Sequence, residues 1–183
     1  LSLSSAASDV YKRQIQNFPE RCHIIGVYSL GKAQRLIKML RNNGWHNTIY
    51  LHGSLVKICN LYEKFGIDLG DLEPATIQDK PEKPHDFYKG KLILAPPSAL
   101  ADRWSRRFPD PILGMASGWM TVKQRAKQRG INLPLILSDH ADWNEILTTI
   151  KEVSPKEVWI THGAEEALIL SLIHISEPTR RLR

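Results

Sequence analysis

Cysteine is nearly absent from this 183-residue chain: Cys22 and Cys59 stand far apart and form no Cys-x-x-Cys pair. The two thiols therefore read as small buried apolar residues in a reducing compartment, and a cytoplasmic location is expected. No apolar run approaches the ~20 residues that cross a bilayer, so no membrane partner is expected either. The sequence also lacks His-x-His, His-Glu-x-x-His and any carboxylate–histidine cluster, so it offers no complete zinc site, which takes about three protein ligands. Internal repeats and low-complexity stretches are missing. What remains, 42% hydrophobic and 24% charged residues, has the composition of a soluble globular protein.

An excess of one charge is also weaker than it first looks. Lys and Arg number 25 against 19 Asp and Glu, a net charge of +6. However, Ser4–Gln14 and Leu170–Arg180 resemble in-frame translations of the adapters used in transposon-based sequencing libraries, and both ends are expected to be tails outside the fold. Residues 1–14 and 170–183 hold five basic and two acidic residues, which leaves 20 against 17, or +3. Such a mild balance is no nucleic-acid signature by itself; the location of the charges has to carry that argument. The interior, residues 15–169, is one domain's worth of chain, and no methionine precedes Met39, which reads as an internal piece of a longer gene.

Short apolar runs alternate with helix-like segments, the pattern of an α/β protein with a largely parallel sheet. Strands are predicted at His23–Tyr28, Thr48–Leu51, Leu92–Ala95, Ile112–Ala116, Leu133–Leu137 and Val158–Thr161. Gly31–Asn42 sets Ala33, Leu36, Ile37 and Leu40 on one helical face and Lys32, Arg35, Lys38 and Arg41 on the other. Ser54 is the expected cap of a second helix running to Gly66. Asp68–Lys89, with Pro74, Pro81 and Pro84, reads as a flexible loop. Ser98 is expected to cap a helix over Ala99–Phe108, and Asp142 one over Trp143–Val153, with Glu145 completing a capping box. A last helix begins near Ala164.

Two histidines end two of the apolar runs: His140 in Leu133-Pro-Leu-Ile-Leu-Ser-Asp-His-Ala-Asp-Trp143, and His162 in Val158-Trp-Ile-Thr-His-Gly163. If those runs are parallel neighbours, Ala141–Glu157 is long enough for the crossover helix, and both imidazoles reach the carboxyl edge of the sheet, where α/β proteins gather chemistry. Ser138, Asp139 and Asp142 crowd His140 with oxygens that can fix its tautomer for proton transfer. His162, followed by Gly163, suits a metal ligand. From spacing alone, a lone histidine at a strand end is more often an ordinary hydrogen-bonded surface or core residue than a ligand.

Basic residues gather at Arg103, Arg106 and Arg107 and again at Lys123, Arg125, Lys127 and Arg129. The second group has the four-residue spacing of two positive stripes on a helix, which can track a phosphate backbone or simply face solvent. Trp104 and Trp119 are either base-stacking platforms or core. Gly26-Val-Tyr-Ser-Leu-Gly-Lys-Ala33 matches a nucleotide-binding P-loop except at its last position, where Ala33 lacks the hydroxyl that holds magnesium. Two other readings stay open there: a tight strand-to-helix turn with Lys32 on the surface, and a helix start that cradles a backbone phosphate.

Six stretches in order resemble one family: Val27-Tyr-Ser-Leu-Gly-Lys-Ala-Gln-Arg35, Ile49-Tyr-Leu-His-Gly53, Leu94-Ala-Pro-Pro-Ser-Ala-Leu-Ala-Asp-Arg-Trp104, Ala116-Ser-Gly-Trp-Met120, Ser138-Asp-His-Ala-Asp-Trp143 and Val158-Trp-Ile-Thr-His-Gly163. Together they resemble the C-terminal half of bacterial ligase-associated DNA exonucleases, metallo-β-lactamase-fold nucleases with a β-CASP insert. The resemblance implies a β-CASP-like domain over 15–116 with a parallel-rich sheet, and the C-terminal part of a metallo-β-lactamase αββα fold over 117–169, flanked by tails at 1–14 and 170–183. It implies that His140, with Asp139 beside it, contacts the scissile phosphate and protonates the leaving oxygen. His162 is implied to bind one of two zinc ions, with manganese as the alternative metal. Lys32, Ser138, Lys123, Arg125, Lys127 and Arg129 become candidate nucleic-acid contacts. The family's remaining metal ligands lie upstream of Ile15, so this chain is expected to have no nuclease activity alone. DNA end processing or repair beside an ATP-dependent ligase and helicase is the implied role. An RNA 3′-end processing nuclease of the same fold and a non-catalytic nucleic-acid-binding protein are the alternatives.

Overall fold

The computed structural model describes residues 17–76, 84–108, 110–160 and 165–173. Its centre is a six-stranded sheet whose paired strands are all parallel: β1 (His23–Gly26), β2 (Ile49–Leu51), β3 (Leu72–Pro74), β4 (Leu92–Ala95), β5 (Ile112–Ala116) and β6 (Leu133–Leu135), in the order β3-β2-β4-β1-β5-β6. The four-residue runs of β1 and β4 are buried throughout, as strands covered on both faces must be. Register places Gly26 level with Ala95 and Met115, so the residues that follow each strand emerge at one edge.

Alternate residues feed two cores. On one face Ile25, Ile49, Leu51, Leu92 and Leu94 pack with Leu36, Ile37 and Leu40 of helix α1 (Lys32–Asn42) and with Leu55 and Cys59 of α2 (Gly53–Lys64). On the other, Ile24, Tyr50, Ile93 and Met115 pack with Tyr88, Leu100, Phe108, Met120 and Ala126. Right-handed crossovers account for this division. The chain leaves β1 and β2 toward one side of the sheet, and leaves β4 and β5 toward the other. Burial pushes the Cys22 thiol up to about 12 and raises that of Cys59 as well, so both sulfurs behave as core atoms.

The remaining helices are α3 (Pro84–Phe87), α4 (Lys123–Gln128), α5 (Trp143–Val153) and α6 (Glu165–Ile173). Two compact units divide the chain, 1–139 and 140–183. The expected domain boundary after Ala116 falls between β5 and β6 of a single sheet. In the second unit the Asp142 carboxylate accepts from the Glu145 amide at 2.9 Å while Glu145 accepts from the Asp142 amide at 2.9 Å, the expected capping box. No helix among the described residues is long and apolar enough to cross a membrane.

Five expectations change. Asp68–Lys89 contains β3 and α3; proline is tolerated in β3 because it is an edge strand. The cap of α2 is His52, whose Nδ1 accepts from the Ser54 amide at 3.1 Å. Ala99–Phe108 forms two short 3-10 turns, Pro97–Leu100 and Ser105–Arg107, in place of one α-helix. The Ser105 hydroxyl donates back to the Leu100 and Asp102 carbonyls, both at 2.9 Å, and so competes with a regular helical ladder. Val158–Ile160 is irregular rather than a strand, with Trp159 78% exposed. Among the described residues it joins no strand ladder, and the sheet ends at β6. Finally, Lys32 is buried rather than on the surface.

Candidate nucleic-acid interface

The site starts with a turn. After β1 the chain reaches Gly31, whose φ of 76° is the left-handed conformation that glycine adopts without a Cβ penalty, and α1 begins at the next residue. The turn therefore aims Lys32 back across the carboxyl edge. Its ammonium lies 3.4 Å from the Asp139 carboxylate, and the Arg35 guanidinium lies 3.5 Å from the same group. Arg35 also donates to the Ser138 carbonyl at 2.9 Å. Two cations of one helix thus clasp the segment that follows β6. The Lys32 side chain is 7% exposed and that of Asp139 43%, so the clasp is dry on the lysine side and open to solvent on the carboxylate side.

A second turn closes in from β5. The Ser117 hydroxyl accepts from the Trp119 amide at 3.3 Å and caps a 3-10 turn over Gly118–Thr121. A Cβ at Gly118 would lie 3.2 Å from the Ser138 Cβ, so this turn presses against the same post-β6 segment. Neighbouring strands β1 and β5 send their chains to opposite sides of the sheet, and a crevice opens between them, as expected where strand order reverses. It is a small cavity of about 120 Å³ lined by Tyr28, Met115, Ser117, Trp119, Met120 and Arg129.

Of the residues expected to act, the structure brings together Lys32, Ser138 and Asp139. Arg129 lines the crevice and approaches the Met115 sulfur at 3.9 Å. Lys127 is exposed on α4, and the side chains of Lys123 and Arg125 are not among those described. His140 follows Asp139 directly, as the exposed first residue of the second unit. His162 lies outside the described residues, as do Thr161 and Gly163. Trp104 stacks edge-to-face on His52 at 4.7 Å and on Phe108 at 4.9 Å, which makes it a packing residue. Trp119, by contrast, is 63% exposed. Burial lowers the His52 pKa, with Arg107 adding to the shift, in keeping with a neutral ring that accepts at Nδ1.

The P-loop reading fails on hydrogen bonding. The Lys32 amide donates to the Leu30 carbonyl at 2.9 Å and the Ala33 amide to the Tyr28 carbonyl at 3.0 Å. Those amides are the ones a helix-start phosphate would use, so the phosphate-cradle version weakens with it. Arg35 and Tyr28 were not singled out from sequence. Arg35 had a signal, its position one turn after Lys32, but its partner Ser138 lies 103 residues away.

Among the described residues no group of three His, Cys, Asp or Glu side chains is arranged to hold a metal ion. The donor set among the described residues therefore does not fit a complete zinc site.

Residues 134–170 match the family described as RMMBL, the Zn-dependent metallo-hydrolase RNA specificity domain. The match covers all but the first residue of β6, all of α5 and part of α6. The chain is also similar to a probable DNA ligase of Opitutus terrae, 28% identical over 139 residues. That alignment covers 74% of this chain and 12% of the relative, so the chain spans about an eighth of the length of the protein it matches. The six-stranded parallel α/β fold is consistent with a metallo-β-lactamase/β-CASP-type fold.

Proposed function

We propose that this chain forms the nucleic-acid-holding side of a metal-dependent exonuclease that trims DNA ends during repair. The observation that carries the proposal is the clasp of Lys32 and Arg35 on Ser138–Asp139, at the carboxyl edge of a parallel sheet and next in sequence to His140. In this reading the clasp fixes the chain just ahead of His140, which protonates the leaving oxygen. Ser138 contacts the substrate beside it. Arg129, Lys127, Lys123 and Arg125 follow the phosphate backbone, and His162 supplies one ligand to a zinc pair, or to manganese in its place. The name of the similar ligase favours DNA and a role beside a ligase, with a helicase as a further proposed partner; the description of the matched domain favours RNA, which keeps 3′-end processing as the second reading.

Titrating the chain with single-stranded DNA and RNA of one sequence, with zinc or manganese present, tests both parts. Binding without cleavage is expected, with affinity that falls steeply as salt rises. Absence of binding to either polymer contradicts the reading. Cleavage by this chain alone contradicts the expectation that it has no nuclease activity by itself.

A further inference from the structure

Large apolar side chains are exposed at the edge where the candidate interface lies: Tyr28 57%, Leu30 69% and Trp119 63%. Singly exposed residues need no explanation, but Tyr28 and Trp119 line the same crevice, which has its own cavity. We infer that this crevice takes one unpaired nucleobase of a single-stranded nucleic acid, seated between the Tyr28 and Trp119 side chains. The inference rests on the nucleic-acid reading above and names the part of the substrate that enters the protein.

Size restricts the occupant. At about 120 Å³ the cavity is well below the roughly 300–1,000 Å³ of sites that enclose a drug-sized ligand, and it suits a single flat ring. Its lining suits a ring as well. Met115 and Met120 supply adaptable thioethers that pack against aromatic surfaces, and Ser117 supplies a polar edge. Charge favours a polyanion: Arg129 lines the cavity, and the Lys32 ammonium sits 5.2 Å from the centre of the Tyr28 ring. The two aromatic positions are also pre-set. The Tyr28 carbonyl is tied to the start of α1 through the Ala33 amide, and the Trp119 amide is tied to the Ser117 hydroxyl. A base inside a duplex is stacked on both faces and cannot enter, so the crevice selects single strands.

The test compares an oligothymidylate with an abasic oligomer of equal length on the unaltered chain, then repeats the titration with Trp119→Ala, Tyr28→Ala and Trp119→Phe. Both aromatics are exposed, so the core is untouched, and an unchanged thermal midpoint checks this. The expected result is a loss of about 5- to 150-fold for the abasic oligomer and for each alanine variant, with most affinity kept by Trp119→Phe. Equal binding of the two oligomers by the unaltered chain overturns the base site and leaves the phosphate-binding reading standing. Binding of neither oligomer overturns both. The unaltered-chain comparison decides the matter even if an alanine variant fails to fold.

Discussion

Arg41→Ala is expected to destabilise the first unit by about 3 kcal/mol, read as a lowered urea midpoint with little change in slope. By sequence spacing Arg41 is one more cation on the outer face of α1. In the fold its guanidinium donates to four backbone carbonyls, those of Leu69 at 3.0 Å, Trp45 at 2.9 Å, Asn47 at 2.7 Å and Asp71 at 2.6 Å. The segments before β2 and β3 are thus tied to one side chain. Burial lowers the Arg41 pKa, and Asp71 and Asp68 oppose that shift. Removing the guanidinium leaves those carbonyls without their charged partner. Lysine should not restore stability, because a single ammonium cannot serve a planar fork of four bonds. These segments enter the sheet at its amino edge, so oligonucleotide affinity of the folded variant should be unchanged. A loss below about 1 kcal/mol would show that water replaces the guanidinium and that these bonds do not hold the loop.

Lys32 gives the second large effect, and two substitutions separate structure from function. Lys32→Glu places a carboxylate where the side chain is 7% exposed and faces Asp139, so about 3–5 kcal/mol of stability should be lost. Lys32→Met keeps the volume and removes the charge, and it should fold about as well as the unaltered chain. If Lys32 meets a phosphate, this variant binds single-stranded oligonucleotide more weakly, and the dependence of log affinity on log salt falls by about 0.7. An unchanged salt dependence in Lys32→Met would reduce the lysine to an internal partner of Asp139.

Much of the sheet was legible because β4 and β5 are unbroken apolar runs and β1 carries only His23 ahead of its apolar residues, as suits strands covered on both faces. β3 was not legible: Leu-Glu-Pro has three residues, one of them proline, and becomes a strand only because β2 has an open edge. The 3-10 turns near Ser105 escaped for a related reason, since side-chain bonding to backbone overrides helical spacing. At the site, Ser138 and Asp139 could be nominated because they stand beside His140 at the end of an apolar run, and Lys32 because it follows the glycine of a strand-to-helix turn. The burial of Lys32 could not be read, because its partner arrives from the far end of the unit. Nor could the two tryptophans be told apart until Trp104 was seen packed on His52 and Phe108 while Trp119 was exposed.

The central claim is that nucleic acid docks on the carboxyl edge of the sheet, and amide chemical-shift mapping during titration with a single-stranded oligonucleotide tests it most directly. The account expects shifts at Gly31–Arg35, Ser117–Trp119 and Ser138–Asp139, with Trp45–Asn47 and Leu69–Asp71 silent. Shifts confined to those last two segments would place the ligand at the opposite edge and contradict it.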